Sequence, residues 1–151
     1  MKKIIFFSSL CLMAFALNAQ EYVDLGLPSG TLWKSINENG FFSNYSSAFL
    51  DYGNNLPTKE QFKELADNCE WTWRNNGYKV TGPNGQSIFL PAEGFRDCNG
   101  ELDQSGQNGS YWSSSIASLD RACALTFTST NRWVGDLEKC SGHSVRLVKN
   151  K

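Results

Sequence analysis

The fold is decided by the stretch Val23-Asp24-Leu25-Gly26-Leu27-Pro28-Ser29-Gly30-Thr31-Leu32-Trp33. Its two ends, residues 22–25 and 31–33, contain the β-branched and aromatic side chains that favour strands. The five residues between them include two glycines and a proline, which are typical of turns. The stretch therefore predicts two short strands joined by a turn at the start of the folded domain.

Upstream of this stretch, residues 1–19 have the pattern of a secretory signal peptide. Lys2 and Lys3 form a basic start, residues 4–16 are almost wholly apolar, and Ala19 is a small residue at a cleavage site. The apolar run is shorter than a membrane span requires. We expect cleavage after Ala19, export to the medium or the cell surface, and no membrane insertion of the mature chain.

The composition of the mature chain, residues 20–151, indicates one domain that does not bind nucleic acid. Loss of the two leader lysines leaves 12 Lys and Arg against 15 Asp and Glu, a net charge near −3. An acidic balance of this kind excludes a basic nucleic-acid surface. A chain of about 130 residues is the usual size of one domain. Five tryptophans can fill its core, and 13 glycines predict many turns. We expect an α+β domain.

One helix has clear sequence signals. Thr58 and Gln61 are spaced as a capping box, in which each side chain bonds to the other residue's backbone amide. Phe62, Leu65 and Cys69 then continue an apolar stripe at helical spacing. The sequence predicts a helix over residues 59–67 with this stripe buried.

The remainder predicts strands and one long loop. Apolar and polar residues alternate around Trp71 and Trp73, and residues 78–81 and 87–90 flank the turn at 82–85 as a hairpin. Further strands are predicted at 111–112, 124–128 and 144–148, and residues 93–109 form a polar loop of a length that is usually functional or flexible. We expect one small sheet with these residues buried around it: Trp33, Phe62, Leu65, Trp71, Trp112, Leu125, Phe127, Val145 and Leu147.

Four cysteines remain after cleavage: Cys69, Cys98, Cys123 and Cys140. Four cysteines in an exported chain allow three pairings, and we expect at least one disulfide. Cys123 and Cys140 flank the last strands, so they are the pair that adjacent antiparallel strands would bring together. Cys69 fits a buried apolar position equally well. No CxxC pair is present and His143 is the one histidine, so no metal or cofactor is expected.

Several motifs together resemble one bacterial family. They are the residues 23–33 quoted above, Leu56-Pro57-Thr58, Gly82-Pro83-Asn84-Gly85, Tyr111-Trp112-Ser113-Ser114-Ser115, and Gly142-His143-Ser144-Val145-Arg146-Leu147-Val148. This pattern is similar to the Fibrobacter succinogenes major paralogous domain proteins of gut Bacteroidetes, and it covers the mature chain. The resemblance implies a C-type-lectin-like fold, related also to formylglycine-generating enzymes, in which the terminal strands pair.

The resemblance does not imply a calcium-dependent sugar site. The Glu-Pro-Asn loop of such lectins is absent, and Trp112 is followed by Ser113 and Ser114 instead of Asn-Asp. Calcium requires several converging oxygen ligands. The acidic cluster that offers them in the long loop is Asp97, Asn99, Glu101 and Asp103, for which a solvated loop is the simpler interpretation.

Catalysis lacks a recognisable set of residues. His143 has no nucleophile or acid partner in a known spacing, and no Gly-x-Ser-x-Gly motif is present. The enzymes of this fold use cysteine chemistry, and Cys98, Cys123 and Cys140 do not match their motif. We therefore expect a binding protein that is not an enzyme.

The C-terminal third is the expected binding region. Its layout between Tyr111 and Arg146 resembles the variable region of diversity-generating retroelement target proteins, in which mutagenesis of Asn codons changes surface residues. A fixed binding face accounts for most of the same residues. The predicted ligand-binding residues are Ser118, Asp120, Arg121, Cys123, Thr126, Thr128, Arg132, Trp133, Cys140, Ser141 and His143. Of these, Ser118, Asp120, Arg121, Thr128, Arg132, Trp133, Ser141 and His143 are expected to form one contiguous exposed surface.

The expected function is recognition of a protein or glycan ligand by an exported protein. Two rivals remain open at this point. A structural or tip subunit of a surface assembly would present an unpaired strand edge. An enzyme of the formylglycine-generating type would present a redox-active cysteine pair to one pocket.

Overall fold

The structure, a computed structural model, describes residues 21–38 and 43–151. The predicted signal peptide lies outside the described residues. In chain order the elements are β1 (Tyr22–Asp24), β2 (Leu32–Lys34), β3 (Ser43–Asn44), α1 (Tyr45–Tyr52), a 3-10 turn (Gly53–Asn55), α2 (Lys59–Asn68), β4 (Glu70–Trp73), β5 (Gly77–Thr81), β6 (Ser87–Pro91), β7 (Phe95–Arg96), β8 (Leu102–Asp103), β9 (Gly109–Ile116), β10 (Arg121–Phe127), β11 (Arg132–Glu138), β12 (Gly142–His143) and β13 (Val148–Lys149). None of the helices in these two ranges is long and apolar enough to cross a membrane.

The strands of the described residues form four small sheets. Three of them are three-stranded, in the orders β1-β2-β13, β4-β5-β6 and β11-β10-β9, and the fourth has the order β3-β12-β7-β8. All paired strands are antiparallel. With two helices beside these sheets the fold class is α+β, as the sequence predicts.

The quoted N-terminal stretch forms the predicted strand–turn–strand unit. Trp33 in β2 lies opposite Val23 of β1 and Val148 of β13, so the first and last strands share one sheet. The turn is fixed to α2 because the Ser29 hydroxyl donates to a Glu64 carboxylate oxygen at 2.6 Å. Trp33 has no exposed surface. The β1-β2-β13 sheet, which contains the first and the last strand, therefore packs on the core.

The α2 helix begins as predicted and extends one residue past the predicted end. The Gln61 amide donates to the Thr58 hydroxyl at 3.1 Å, and the Thr58 amide donates to the Gln61 side chain at 2.8 Å. The helix buries Phe62 and Leu65. The β5–β6 hairpin is also as predicted, with Gly85 at a φ of 85° in its turn, a conformation that favours glycine.

The expectation of a core around one small sheet is wrong. Two buried clusters lie on the two faces of the β9–β10–β11 sheet, one containing Leu125 and Phe127 and the other containing Trp112 and Ala124. Eight of the nine predicted core residues are buried, and Trp71 is half-buried at the edge of the first cluster. A sheet with both faces covered needs more apolar residues than an alternating pattern supplies, which explains the run of buried residues at 122–127.

The predicted strand at residues 144–148 is also wrong in its extent. Only Gly142–His143 and Val148–Lys149 are strands, and every residue from 141 to 148 is buried. The interruption centres on Arg146, whose side chain is 1% exposed and donates to the carbonyl oxygens of Lys34, Ser35 and Phe89 and to Asn37. Residues 144–147 therefore run through the core as irregular chain. The buried guanidinium of Arg146 is stable there because several elements supply it with hydrogen-bond acceptors.

The long loop at residues 93–109 contains a short hairpin that the sequence does not predict. Phe95 and Arg96 of β7 pair with Asp103 and Leu102 of β8. Gly94 lies at a φ of 81°, and a side chain there would lie 2.2 Å from the Asp103 carbonyl oxygen. The hairpin therefore packs closely against its own base, which positions β7 beside β12.

Candidate functional site

The scaffold of the site is the β9–β10–β11 sheet together with the β7–β12 pair. Thr126 of β10 lies opposite Ser110 of β9 and Trp133 of β11, so these three side chains share one face of the sheet. The Ser110 and Thr126 hydroxyl oxygens are 3.3 Å apart. Gly142 pairs with Arg96, which brings residues 141–143 next to the β7–β8 hairpin.

A pocket of about 510 Å³, called here the main pocket, lies at this junction. One group of lining residues comes from the 93–109 region: Phe95, Asp97, Cys98, Gln104 and Asn108. The other group comes from the sheet and the segment that follows it: Ser110, Arg121, Thr126, Trp133, Leu137, Glu138, Ser141 and His143. A volume of this size accommodates a small ligand or a few residues of a larger one.

The main pocket gathers five of the predicted binding residues: Arg121, Thr126, Trp133, Ser141 and His143. Cys140 is exposed and does not line the pocket itself, but it is bonded to Cys98, which does. The other predicted residues lie elsewhere. Ser118 and Asp120 are in the exposed β9–β10 turn, and Thr128 borders a second pocket with Trp73 and Asn76. Arg132 donates to the Ala66 carbonyl oxygen of α2 at 3.3 Å, and its guanidinium lies 5.1 Å from the Trp71 ring of β4.

The prediction of one contiguous exposed surface is wrong. His143 is 3% exposed and Ser141 is 7% exposed, and among the other predicted binding residues Thr126 and Cys123 are also buried. The cause is the position of β12 between β3 and β7, with the Trp112 ring meeting the His143 ring edge-on at 4.5 Å. Alternation along the sequence does not distinguish this buried strand from a surface strand. The polar residues at 141 and 143 form an interior wall and not an outer face.

His143 is a neutral, buried histidine with one defined hydrogen bond. The Ser141 hydroxyl donates to the Glu138 carbonyl oxygen at 2.6 Å, so it must accept from His143 Nε2, which lies 2.7 Å away. The ring proton is therefore on Nε2, and Nδ1 is an acceptor. Burial disfavours the charged imidazolium and lowers the pKa of His143 to about 4. In the described part of the chain Nδ1 has no partner, and neither has Oδ1 of Asn108.

The rim of the main pocket combines an aromatic ring with charged groups. Trp133 is 47% exposed, and its indole lies over Gly135, where a Cβ would be 3.3 Å from the ring. Arg121 forms an ion pair with Asp136, and the same guanidinium donates to the Asp136 carbonyl oxygen at 2.7 Å. The exposed tryptophan is therefore positioned by packing on its own strand, while the arginine of the lining is already paired with Asp136.

The disulfide joins Cys98 to Cys140, with Cα atoms 5.0 Å apart, so the predicted Cys123–Cys140 pairing is wrong. Cys123 lies opposite Asp136 in the sheet and is a buried free thiol. Cys69 is also free, and burial raises its pKa to about 11. The bond fixes the long loop to the start of β12.

Cys98, Cys140 and Glu138 cluster within 4.8 Å, but both sulfurs are committed to the disulfide, so this cluster offers a metal only one carboxylate.

The carboxylates of the acidic loop accept hydrogen bonds from nearby backbone amides. Asp97 Oδ1 accepts from the amides of Asn99 and Glu101, and Asp103 Oδ1 accepts from the amide of Gln104. Across residues 21–38 and 43–151, these carboxylates do not belong to any group of three that could share one ion. They cap local turns.

The wall contributed by the loop, which includes Phe95 and Asn108, was not predicted from the sequence, and neither was Glu138 of β11. The one available signal was the length of the 93–109 segment, because long loops in compact domains are often functional. Nothing in the local pattern assigns these residues to a pocket shared with residues 121–143. Their proximity depends on the β7–β12 pairing.

Comparison with known proteins gives no assignment: no protein-family model, no curated protein and no solved structure matches this chain.

Proposed function

We propose that this chain is an exported binding protein that holds part of a glycan or of a protein ligand in the main pocket. The observation that carries the proposal is the half-exposed Trp133 at the rim of a pocket whose wall contains buried, polar Ser141 and His143. Large aromatic side chains that are fixed but exposed dominate binding energy at interfaces. Pockets that bind ligands combine apolar walls with a few convergent polar groups.

The proposed fold is the C-type-lectin-like fold, and the proposed family is the Fibrobacter succinogenes major paralogous domain. The pairing of β13 with β2, the early α2 helix and the irregular region at 93–109 support this assignment. We propose that the ligand site is independent of calcium, because the acidic loop residues are used in turns. Function on this fold depends on the site, which is why the main pocket carries the argument.

The experiment compares Trp133→Ala with Leu119→Ala on a printed glycan array and on an array of extracellular-protein peptides. Leu119 is the matched control, since it is 95% exposed and does not line the main pocket. We expect Trp133→Ala to reduce capture by about tenfold or more with little change in melting temperature. Leu119→Ala should capture as the wild type does. Equal capture by both variants would remove the main pocket from the proposal.

Diversification of this region by a retroelement is a narrower part of the same proposal. Cys123, Ala124 and Thr126 are buried, so free variation at these three positions would disturb the core. The exposed positions Ser118 and Asp120 can vary without that cost. Sequencing the neighbouring DNA tests this proposal, since a reverse transcriptase gene and an imperfect copy of codons 111–148 would support it and their absence would exclude it.

A second candidate function is a subunit of a surface assembly. β11 is the outermost strand of its sheet and has no further strand beside it in the described ranges, and such an edge is where another chain would pair. Size-exclusion chromatography coupled to light scattering tests this candidate. Concentration-dependent oligomers that are abolished by Val134→Pro would favour it over ligand binding in the main pocket.

The rival enzymatic function requires cysteines that undergo redox chemistry. Cys98 lines the main pocket and is bonded to Cys140, which is the arrangement that keeps this rival open. Replacement of both cysteines by serine separates the two functions. For a binding protein, ligand capture is expected to be weakened by the loss of the loop cross-link but still measurable, whereas an enzyme of this type would lose its activity.

A further inference from the structure

The second pocket lies where three connecting segments meet, and its volume is about 540 Å³. The segments are the β4–β5 turn, the connection from β8 to β9 and the β10–β11 turn. One aromatic ring, three amide side chains and a run of hydroxyl side chains line it: Trp73, Asn76, Gln104, Gln107 and residues 128–130. Within the described part of the chain, no charged residue contributes to this lining. The pocket therefore presents neutral polar groups beside an aromatic ring.

The three amide side chains of the second pocket are accessible from solvent. Asn76, Gln104 and Gln107 are exposed, and none of their side-chain amides bonds to another described residue. Each amide offers two N–H donors and one carbonyl acceptor. A ligand that enters this pocket can therefore both accept hydrogen bonds from its wall and donate hydrogen bonds to it.

Backbone hydrogen bonds hold the segments that carry these amides. The Ala92 amide donates to the Asn76 carbonyl oxygen at 2.8 Å, and the Gly106 amide donates to the Ala92 carbonyl oxygen at 2.7 Å. The Gln107 amide donates to the Gln104 carbonyl oxygen at 3.0 Å. Because these bonds order the wall without a ligand, binding does not have to order it and its entropic cost is lower.

Two of the amides extend from backbone in the left-handed region. Asn76 has a φ of 54° and Gln104 a φ of 51°, in a conformation that glycine adopts at no cost. Asparagine tolerates this region, whereas it is uncommon for glutamine. Such backbone outliers concentrate at ligand-binding sites. In the described ranges the other non-glycine residue with a positive φ is Asn75, at 52°, and it does not line the second pocket.

Trp73 gives the second pocket its apolar wall. Its side chain is half-buried, and its ring meets the rings of Tyr78 and Phe127 at steep angles, with centroids 5.0 and 6.4 Å away. These contacts fix the indole against the core. A pyranose ring combines C–H groups, which pack on an aromatic surface, with hydroxyl groups that both donate and accept. Its chemistry therefore matches a tryptophan surrounded by amide and hydroxyl side chains.

We propose that the second pocket binds one neutral sugar ring of a glycan. The ring packs on Trp73, and its hydroxyl groups exchange hydrogen bonds with the amides of Asn76 and Gln107. A sugar with a carboxylate or an ammonium group binds more weakly, because the lining offers no opposite charge to offset its desolvation. This site is separate from the main pocket, although Gln104 lines both, and the proposal does not depend on what the main pocket binds.

The experiment titrates the isotope-labelled mature protein and follows the indole N–H signal of Trp73 and the side-chain amide signals of Asn76 and Gln107 by NMR. The neutral probes are the methyl glycosides of glucose, galactose and mannose, and the charged probes are glucosamine and glucuronic acid. We expect at least one neutral glycoside to shift these signals saturably, and the charged sugars to bind more weakly by about fivefold or more. No shift with any neutral glycoside up to about 50 mM would overturn the proposal.

Two further outcomes would also overturn it. Tighter binding of a charged sugar would contradict the preference for a neutral ring. Tighter binding of N-acetylglutamine amide than of every glycoside would assign the pocket to a peptide. If the glycosides shift only Trp133 and Thr126, the second pocket is not the sugar site and ligand binding in the main pocket stands.

A matched pair of variants completes the test. Asn76→Gly removes a lining amide, and Asn75→Gly removes the same side chain from the adjacent exposed position outside the pocket. Both positions have a positive φ that glycine adopts readily, so both variants are expected to fold. We expect Asn76→Gly to weaken glycoside binding by about fivefold and Asn75→Gly to leave it unchanged. Equal effects of the two variants would overturn the proposal.

Discussion

The guanidinium of Arg146 donates a 2.7 Å hydrogen bond to the carbonyl oxygen of Phe89, 57 positions earlier in the chain. The same side chain reaches the carbonyl oxygens of Lys34 and Ser35. It thereby links the hairpin of β5 and β6 to the segment after β2. Burial lowers the pKa of Arg146 and its carbonyl partners offset the cost of desolvation, so the residue holds three parts of the core in register.

Arg146→Met is expected to destabilise the fold by about 3–5 kcal/mol, because it leaves several buried acceptors without a donor. Urea unfolding followed by tryptophan fluorescence measures the free energy of unfolding. Arg74→Met is the control at an exposed arginine and should change stability by less than about 0.5 kcal/mol. Similar values for the two variants would contradict the structural role of Arg146.

Trp112→Ala is expected to cost about 3–5 kcal/mol, since it removes a large side chain with no exposed surface from the second buried cluster. Trp133→Ala removes the same kind of side chain from a half-exposed position and should cost far less. Thermal unfolding by circular dichroism compares them. A larger loss for Trp133→Ala would place that residue in the core and not at the rim.

Loss of the Cys98–Cys140 disulfide is expected to destabilise the protein by about 2–4 kcal/mol, because the bond closes a loop between residues 42 positions apart. The Cys98→Ser, Cys140→Ser double variant and the reduced wild-type protein should give equal free energies of unfolding. Added reductant should not affect the double variant. A wild-type protein that is insensitive to reductant would argue that the bond does not form.

Stability is expected to fall as the pH decreases from about 6.5 to 4 because of His143. The folded protein lowers the pKa of this histidine to about 4, so the unfolded chain takes up the proton first, at its ordinary value of 6.5. The folded state is fully stable above that range and loses on the order of 3 kcal/mol across it. His143→Gln should flatten this slope in urea unfolding at pH 7, 5.5 and 4.5. An unchanged slope would assign the acid sensitivity to other groups.

The elements that could be predicted from sequence are those held by local interactions. The capping box of Thr58 and Gln61 and the turn at 82–85 each involve residues within a few positions, and both have the predicted form. The β-branched and aromatic residues around Trp33 likewise predict β1 and β2, which pair with each other, although the second partner of β2 is the distant β13.

The candidate site could be predicted only in part, because its geometry depends on distant pairings. Cys98 and Cys140 approach each other through the pairing of Gly142 with Arg96, which no local pattern indicates. The same pairing buries His143, although its neighbours alternate as in a surface strand. Of the residues predicted from the sequence to bind a ligand, Trp133 and Arg121 line the pocket, whereas the wall formed by residues 95–108 was not predicted.

The Cys98–Cys140 bond has a consequence beyond folding stability. It attaches the 93–109 segment to the start of β12, so one wall of the main pocket is held in place before a ligand arrives. Ordering a free loop on association would cost conformational entropy and weaken the affinity. For the proposed ligand, the cross-link would remove part of that cost in advance, so the affinity would rest on contacts and not on induced closure of a loop.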